Sequence, residues 1–129
     1  MITISKKVEY SIVFMSFLSH NSGKNVSLTE AAKKLQLPYR FLGQLATNLK
    51  AGGIIDSQEG KSGGYQLTEG WRDKNLYDLL EALEENKAMV TCLGDKGCAR
   101  INSCTLKKVW ERMEKSWSLE LKKIKLSEI

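Results

Sequence analysis

A single proline, Pro38, does most to restrict how this 129-residue chain can fold. The residue before a proline avoids helical backbone angles, whereas the proline itself fits the first turn of a helix. One helix must therefore end before Pro38 and another begin there, running to about Lys50, where two glycines end it. The earlier helix is predicted over Leu28–Gln36 and opens with a capping box of Ser27 and Glu30. Two short helices joined by a tight turn are typical of a helix-turn-helix.

Two short apolar segments follow, predicted as strands over 54–57 and 65–67, on either side of a glycine-rich loop. A helix-turn-helix followed by a hairpin is the element order of a winged helix. Before it, a wide apolar stripe predicts a central buried helix from about Ser5 to Ser19. After it, we expect a helix from Leu76 to about Glu84, an aperiodic segment over 88–103 and a long helix from about Thr105 to Lys123. The predicted fold class is mainly α with a small β-hairpin wing.

The composition indicates one globular domain with a modest excess of positive charge. Apolar residues make up 42% of the chain and charged residues 27%, and the net charge of +5 is compatible with a nucleic-acid partner. The longest uncharged stretch, 10–23, is too short and too polar to cross a bilayer, and no signal peptide is evident, so we expect a cytoplasmic protein. With one histidine, no nucleophile–base pair and no nucleotide-binding loop, the chain is not expected to be an enzyme.

The second helix of the helix-turn-helix separates an apolar face from a polar one. Successive residues lie about 100° apart around a helix, so three leucines share one face and Arg40, Gln44 and Thr47 share the other. Arginine is suited to guanine and glutamine to adenine in the major groove of DNA. Tyr39 and Arg40 lie at the N-terminal end, which enters the groove in helix-turn-helix proteins, and Lys50 lies at the other end. These residues are candidate DNA contacts; the alternative is an ordinary solvated helix face.

The glycine-rich loop and two helix N-termini supply further candidates for contacts to DNA phosphates. In the loop they are Lys61, Ser62 and Gly63, because basic, hydroxyl and backbone N–H groups all bind phosphate. The loop does not fit a nucleotide-binding loop, since a strand rather than a helix follows it. At the helix N-termini the candidates are Ser5, Lys6, Lys7, Ser27 and Thr29. Taken alone, each is more simply explained as a solvated charge, a turn or a helix cap.

Three cysteines, Cys92, Cys98 and Cys104, form a Cys-x5-Cys-x5-Cys pattern, with the first two in the aperiodic segment and the third directly after it. Glycines and turn-forming residues between them would allow the three thiolates to converge on one centre. The spacing is wider than in most zinc sites and is compatible with an iron–sulfur cluster. Lys96 and Arg100 would lower the pKa of the thiols. Three unrelated thiols, or a redox pair with a spare thiol, are the alternatives.

A cluster needs a fourth ligand, and the chain has no fourth cysteine. The candidates are His20, Glu9, Asp95 and Lys107. Lys107 is protonated near neutral pH and is a poor ligand. Because Glu9 and His20 lie about 16 Å apart along one helix, one small centre cannot use both. His20 is better explained as a surface histidine.

Several motifs, spread over about residues 1–126, together resemble the IscR/NsrR-type bacterial transcription regulators, winged-helix proteins of the Rrf2 family. No single motif is specific, but the combination is. The motifs are Ser5-Lys6 with Tyr10-Ser11, Ser27-Leu28-x-Glu30-Ala31-Ala32, Leu37-Pro38-Tyr39-x-Phe41-Leu42-x-Gln44-Leu45, Gly63-Gly64-Tyr65-x-Leu67, and the cysteine pattern before a Leu-x-x-x-Trp helix.

The resemblance implies a homodimer that binds pseudo-palindromic double-stranded DNA through the helix from Pro38 to Lys50 and the wing around residues 61–64. It implies that the long C-terminal helices cross between subunits and cover Trp110 and Trp117. Residues 1–70 would then be the winged helix-turn-helix DNA-binding region. Residues 71–129 would be the cluster-binding loop and dimerisation helix, within one compact domain.

The resemblance also implies that the three cysteines hold a 2Fe–2S or 4Fe–4S cluster in a regulator, such as a repressor, that senses iron–sulfur status, nitric oxide or redox state. Some members of the family use a histidine just after the third cysteine, where this chain has Lys107. The nitric-oxide-sensing branch uses an acidic residue from the first helix of the other subunit, best matched here by Glu9. We therefore predict Glu9 of the partner subunit as fourth ligand; a surface carboxylate paired with Lys6 is the alternative. The alternative function is a cluster-free regulator that acts by thiol oxidation or docks a partner protein through the cysteine loop.

Overall fold

The computed structural model of the chain describes residues 3–83, 85, 88–94 and 96–129. The elements are α1 (Lys6–His20), α2 (Leu28–Leu35), α3 (Tyr39–Ala51), β1 (Ile55–Gln58), β2 (Gly64–Leu67), α4 (Leu76–Ala82) and α5 (Lys107–Lys123). Short 3-10 turns cover Glu69–Asp73, Thr91–Leu93 and Leu126–Glu128. The types and order of these elements confirm the predicted winged helix. None of the helices in the described ranges combines the length and the apolar character that a membrane span requires.

The two helices of the helix-turn-helix end close to their predicted positions. α2 stops at Leu35, one residue early, because Gln36 takes a left-handed backbone conformation with a φ of 55°. The Ser27 Oγ accepts a hydrogen bond from the Glu30 N–H at 3.1 Å, which is one half of the predicted capping box. The tight turn at Pro38 then leads directly into α3.

The helices on either side of the cysteine segment are shorter than predicted. α4 ends at Ala82, and the predicted end at Glu84 lies outside the described residues. A complete capping box opens α4, in which Asn75 and Asp78 each accept a hydrogen bond from the other's backbone N–H. α5 begins at Lys107, two residues later than predicted. Helix ends fray, so their bounds commonly shift by one or two residues.

α1 crosses the centre of the molecule and contacts α2, α3 and β2. Its residues Val8, Phe14, Met15 and Leu18 are buried, which confirms the predicted apolar stripe. The Phe14 ring meets the Tyr65 ring of β2 edge to face, with ring centroids 6.4 Å apart. α1 therefore supports both the helix-turn-helix and the hairpin.

The hairpin is a two-stranded antiparallel sheet in which Ile55 pairs with Leu67 and Gln58 with Gly64. Its second strand also forms a bridge to the turn between α1 and α2. There the Val26 N–H donates to Tyr65 O at 2.9 Å, and the Tyr65 N–H donates to Val26 O at 2.7 Å. The hairpin is thus tied on one side to the segment that leads into the helix-turn-helix.

The C-terminal end of α3 packs closely against α4 at Gly52. A Cβ atom on Gly52 would lie 2.5 Å from the Cβ atom of Ala82, which is closer than two carbon atoms can approach without a shift. The sequence predicts this glycine only as the end of a helix. The structure adds a second reason for it, a close contact between two helices.

The C-terminal residues return to the start of α4. The Leu76 N–H donates to Ile124 O and the Leu126 N–H donates to Lys74 O, both at 2.9 Å. Leu121 and Leu126 are buried in the same core as α1 and α3. The end of α5 is therefore fixed to the rest of the molecule. The division at residue 70 stays a prediction.

Candidate functional site

α3 presents the predicted polar face to solvent. The buried residues of this helix are Leu42, Leu45, Ala46 and Leu49. The predicted DNA contacts are all exposed on its surface: Tyr39, Arg40, Gln44, Thr47 and Lys50. The exposed face is therefore the one that Arg40 and Gln44 were predicted to occupy. Contact of these residues with DNA stays a prediction.

Hydrogen bonds along this face leave Arg40 available to a ligand. The Thr47 Oγ1 donates to Gly43 O at 3.0 Å, and the Gln44 Nε2 makes a long contact of 3.4 Å with Asn48 Oδ1. Within the described part of the chain, the Arg40 guanidinium makes no hydrogen bond or ion pair. Arg40 is exposed at the start of α3, so its guanidinium is free to make the predicted bidentate contact with a guanine edge.

Lys50 connects α3 to the hairpin. Its Nζ donates to the Ser57 Oγ of β1 at 2.6 Å. This bond adds a side-chain contact between α3 and the hairpin that starts only a few residues later. Sequence reasoning assigned Lys50 to DNA alone and missed this second contact, since nothing in the local pattern pairs a helix-end lysine with a serine seven residues later.

The loop between β1 and β2 places Lys61 and Ser62 in solvent, as predicted. Gly63 closes the turn by donating its N–H to Gly60 O at 3.0 Å. A Cβ atom on Gly63 would lie 2.3 Å from Gln58 O, so a larger residue cannot take this conformation. Gly63 is thus needed for the shape of the loop, whatever its N–H group contacts.

The N-terminus of α1 contains three predicted phosphate contacts, and the structure gives them different roles. Ser5 is the helix cap, and its Oγ accepts from the Val8 N–H at 3.3 Å. Lys6 is exposed and forms an ion pair with Glu9, with Nζ and Oε2 2.8 Å apart. The hydrogen bond to Glu9, and the charge of its carboxylate, raise the pKa of Lys6. At the start of α2, Ser27 and Thr29 are exposed, as phosphate contact would require.

The Lys7 side chain makes a hydrogen bond within the protein. Its Nζ donates to Leu83 O at 2.7 Å and lies 3.9 Å from Glu85 Oε1, so it satisfies a carbonyl at the end of α4. The side chain is only 27% exposed. The sequence could not reveal this contact, because Leu83 is 76 residues away. A phosphate contact by Lys7 would require it to leave Leu83.

The predicted cluster ligands are not assembled within one chain. Cys92 and Cys104 are half-buried, Cys98 is exposed, and all three are free thiols. Among the residues that the structure describes, no three His, Cys, Asp or Glu side chains lie close enough together to hold a metal ion. Asp95 lies outside those residues. Three thiolates fit an iron–sulfur cluster by their chemistry, but their positions in the single chain do not form a site for one.

The two other fourth-ligand candidates on α1 lie on its exposed surface. Glu9 is half exposed and paired with Lys6 of its own chain. The His20 Nδ1 lies 2.7 Å from Ser16 O, within hydrogen-bond distance, as expected for a surface histidine at a helix end. Lys107 lies 3.8 Å from the Glu111 carboxylate. A ligand role for Glu9 therefore stays a prediction and would require it to leave Lys6.

An apolar surface runs along α5, and we call Leu106, Val109, Met113 and Trp117 the α5 stripe. Their exposed fractions are 50%, 49%, 41% and 39%. A cleft of about 680 Å³ lies along the stripe, between α5 and Met89. Trp110, on the neighbouring side of the helix, is half-buried. Contiguous exposed apolar surface on a small protein is typical of an interaction site.

A winged helix with an exposed polar recognition helix is the architecture of a DNA-binding transcription regulator. Residues 4–129 match the family described as Rrf2, iron-dependent transcriptional regulator. The chain therefore belongs to the Rrf2 family of transcriptional regulators, which confirms the resemblance drawn from its motifs.

Individual relatives agree with this assignment. The chain is 30% identical over 133 residues to the HTH-type transcriptional regulator IscR of Cereibacter sphaeroides, covering 98% of this chain and 85% of that protein. The structure of T. potens IscR has a TM-score of 0.71 at 28% identity, covering 98% and 84% of the two chains. CymR, the global cysteine regulator of B. subtilis, shares the fold with a TM-score of 0.70 at 24% identity, covering 98% and 94%. The chain spans 66–85% of the length of five curated relatives that it matches.

Proposed function

We propose that the chain acts as a homodimer that binds pseudo-palindromic double-stranded DNA through α3 and the wing. The observation that carries this proposal is the exposed face of α3, where Arg40 has no hydrogen-bond or ion-pair partner among the described residues and lies at the end that enters the major groove. The bond from Lys50 to Ser57 holds the wing beside this face, so both can meet one duplex. Lys61 and Ser62 at the wing, and Ser5, Lys6, Ser27 and Thr29 at the helix N-termini, are the proposed phosphate contacts.

The proposed dimer interface is the α5 stripe. Two copies of one helix that meet through the same apolar stripe form a two-fold symmetric contact, and such symmetry matches two half-sites of DNA. The contact would cover the stripe and the neighbouring Trp110, as the resemblance to the family implies. It would leave α3 and the wing of each subunit free.

The proposed signal is an iron–sulfur cluster, 2Fe–2S or 4Fe–4S, held by Cys92, Cys98 and Cys104 with Glu9 of the partner subunit. Support comes from the thiolate donor set, from the iron-dependent description of the family and from the relatives named IscR. When bound, such a cluster makes DNA binding responsive to iron, nitric oxide or redox state. Ligation would require the cysteine segment to draw the three thiols together.

A second candidate signal is oxidation of the thiols themselves. The observation that favours it is the state of the cysteines in the single chain, where all three are free and do not form a metal site in the described residues. Cys98 is exposed, so an oxidant in solution can reach its thiol. The two chemistries predict different products and can be separated by experiment.

Replacing Arg40 by alanine tests the DNA-binding proposal. We expect Arg40→Ala to weaken binding to a duplex that the wild-type protein selects from a random pool by about 1–3 kcal/mol, because a bidentate base contact is lost. Selectivity at one base pair of each half-site should relax as well. Arg72→Ala is the matched control, since Arg72 is an exposed arginine outside α3, in the 3-10 turn Glu69–Asp73, where its guanidinium lies 5.0 Å from the centre of the Trp71 ring. Equal affinities of the two variants would contradict the assigned recognition face.

Anaerobic purification tests the cluster proposal. We expect the wild-type protein to be coloured and to contain iron and acid-labile sulfide, and Cys98→Ser to lose both, because a thiolate ligand is removed. Glu9→Ala should retain less iron than the wild type, while Glu30→Ala, which removes an exposed carboxylate from α2, should not. Colourless, iron-free wild-type protein would contradict the cluster proposal and favour regulation by thiol oxidation. In that case, mass spectrometry after mild oxidation should find a disulfide or sulfenic acid at the cysteines.

A further inference from the structure

We propose that Asn25 is a positioning residue that holds the wing tip, residues 59–63, in place for contact with DNA. The inference rests on the proposed function above. Asn25 lies in the turn between α1 and α2, and its Nδ2 donates to Gln58 Oε1 at 2.8 Å and to Ser62 O at 3.0 Å. Gln58 ends β1, and Ser62 lies two residues before β2. One amide group therefore joins the two sides of the wing tip to the body of the protein.

The surroundings fix the orientation of the Asn25 amide. A backbone carbonyl can only accept a hydrogen bond, so Nδ2 rather than Oδ1 must face Ser62 O. The Oδ1 atom is buried and has no hydrogen-bond partner among the described residues. A buried, unpaired acceptor lowers stability, and the two donated bonds offset this cost. The two donated bonds are what asparagine supplies here.

The backbone beside Asn25 already holds the base of the wing. Val26 and Tyr65 exchange two backbone hydrogen bonds, and Gly64 lies so close that a Cβ atom on it would be 2.5 Å from Val26 O. The paired strands end at Gln58 and Gly64, so residues 59–63 extend beyond the sheet. The backbone bonds of Val26 hold the sheet, and the Asn25 side chain adds a contact beyond it, to Ser62 in residues 59–63.

The wing tip depends on this support because it has little of its own. Within its described residues, the other hydrogen bond is the one from the Gly63 N–H to Gly60 O at 3.0 Å. Lys61, the cation of the tip, is exposed and directly precedes Ser62. A loop that is ordered before binding does not lose its conformational freedom on binding, so its contacts contribute more to affinity. Asn25 thus supports the Lys61 phosphate contact without touching DNA.

The test compares Asn25→Ala with Asn21→Ala. Asn21 lies in the same turn, but its Nδ2 donates to Phe17 O at 2.8 Å within the end of α1, so it is a matched control. Hydrogen exchange of the 59–63 backbone, measured by mass spectrometry, should become faster in Asn25→Ala alone. Binding to a fluorescent duplex of random sequence should weaken about 5–20-fold in Asn25→Ala, which corresponds to the loss of one or two ordinary hydrogen bonds. The slope of log affinity against log salt concentration should fall by about one, as expected when a phosphate contact is lost.

A purely structural effect would give a different result. Partial unfolding lowers the active fraction of the protein but leaves the salt slope unchanged. If Asn25 acts through Lys61, then Asn25→Ala should have little further effect in a Lys61→Ala background. Unchanged exchange at 59–63, or full additivity with Lys61→Ala, would overturn the proposal. If the wild-type protein binds no DNA, the proposed function fails, and hydrogen exchange still decides by itself whether Asn25 holds the wing tip.

Discussion

A Met113→Glu variant is expected to be monomeric and to bind its selected DNA duplex about 10²–10⁴-fold more weakly than the wild type, because two linked half-site contacts become one. Met113 lies in the middle of the α5 stripe and is 41% exposed. In a two-fold symmetric interface a single substitution occurs twice, so two carboxylates would be buried against apolar surface. Sedimentation at several protein concentrations measures the oligomeric state, and fluorescence anisotropy measures the affinity.

Leu119→Glu is the matched control for this variant. Leu119 is an apolar residue of the same helix, 51% exposed, and it lies roughly 120° around the helix from Met113. The two variants carry the same change in charge, so only the position on the helix differs. Leu119→Glu should remain dimeric and bind DNA like the wild type. A dimeric Met113→Glu protein would show that the α5 stripe is not the interface.

Replacing Phe14 by alanine is expected to lower the free energy of unfolding by about 3–5 kcal/mol, since a large aromatic side chain leaves a cavity that the core cannot fully close. Phe14 is completely buried in α1, and its ring contacts Tyr65 of the wing. The loss is a large fraction of the stability of a typical domain. Urea unfolding at a fixed protein concentration measures it, because the stability of a dimer depends on concentration.

Val13→Ala provides the comparison for Phe14→Ala. Val13 is adjacent in the sequence but 39% exposed, so its truncation should change stability by no more than about 0.5 kcal/mol. In Phe14→Ala the wing should also lose protection from hydrogen exchange, because Tyr65 loses its aromatic neighbour. Similar midpoints for the two variants would mean that α1 is not the centre of the core.

Much of the fold could be predicted from local signals in the sequence. Pro38 separates α2 from α3 by its own backbone restriction, and the glycines around the wing mark the turn between two short strands. The periodic apolar residues of α1 and α3 predict which faces are buried, because helix geometry turns sequence spacing into spatial direction. The same helix geometry predicts that the face of α3 with Arg40, Gln44 and Thr47 is exposed.

Contacts between distant parts of the chain could not be predicted in this way. The Lys7 bond to Leu83 O joins residues 76 positions apart, and the Asn25 bond to Ser62 O joins residues 37 positions apart. Each of these hydrogen bonds depends on how whole elements pack against one another, so no local sequence pattern predicts it. The same limit applies to the cysteines, since their even spacing indicates that they can converge but does not place their sulfur atoms.

The contact between Gly52 and Ala82 joins the end of α3, the proposed recognition helix, to the end of α4. A Cβ atom on Gly52 would lie 2.5 Å from the Ala82 Cβ atom, so a larger residue at position 52 would push the ends of α3 and α4 apart. α4 ends only ten residues before Cys92, on the path to the cysteine segment. If the thiols receive the proposed signal and α4 shifts as a result, this contact would pass the shift directly to the end of α3.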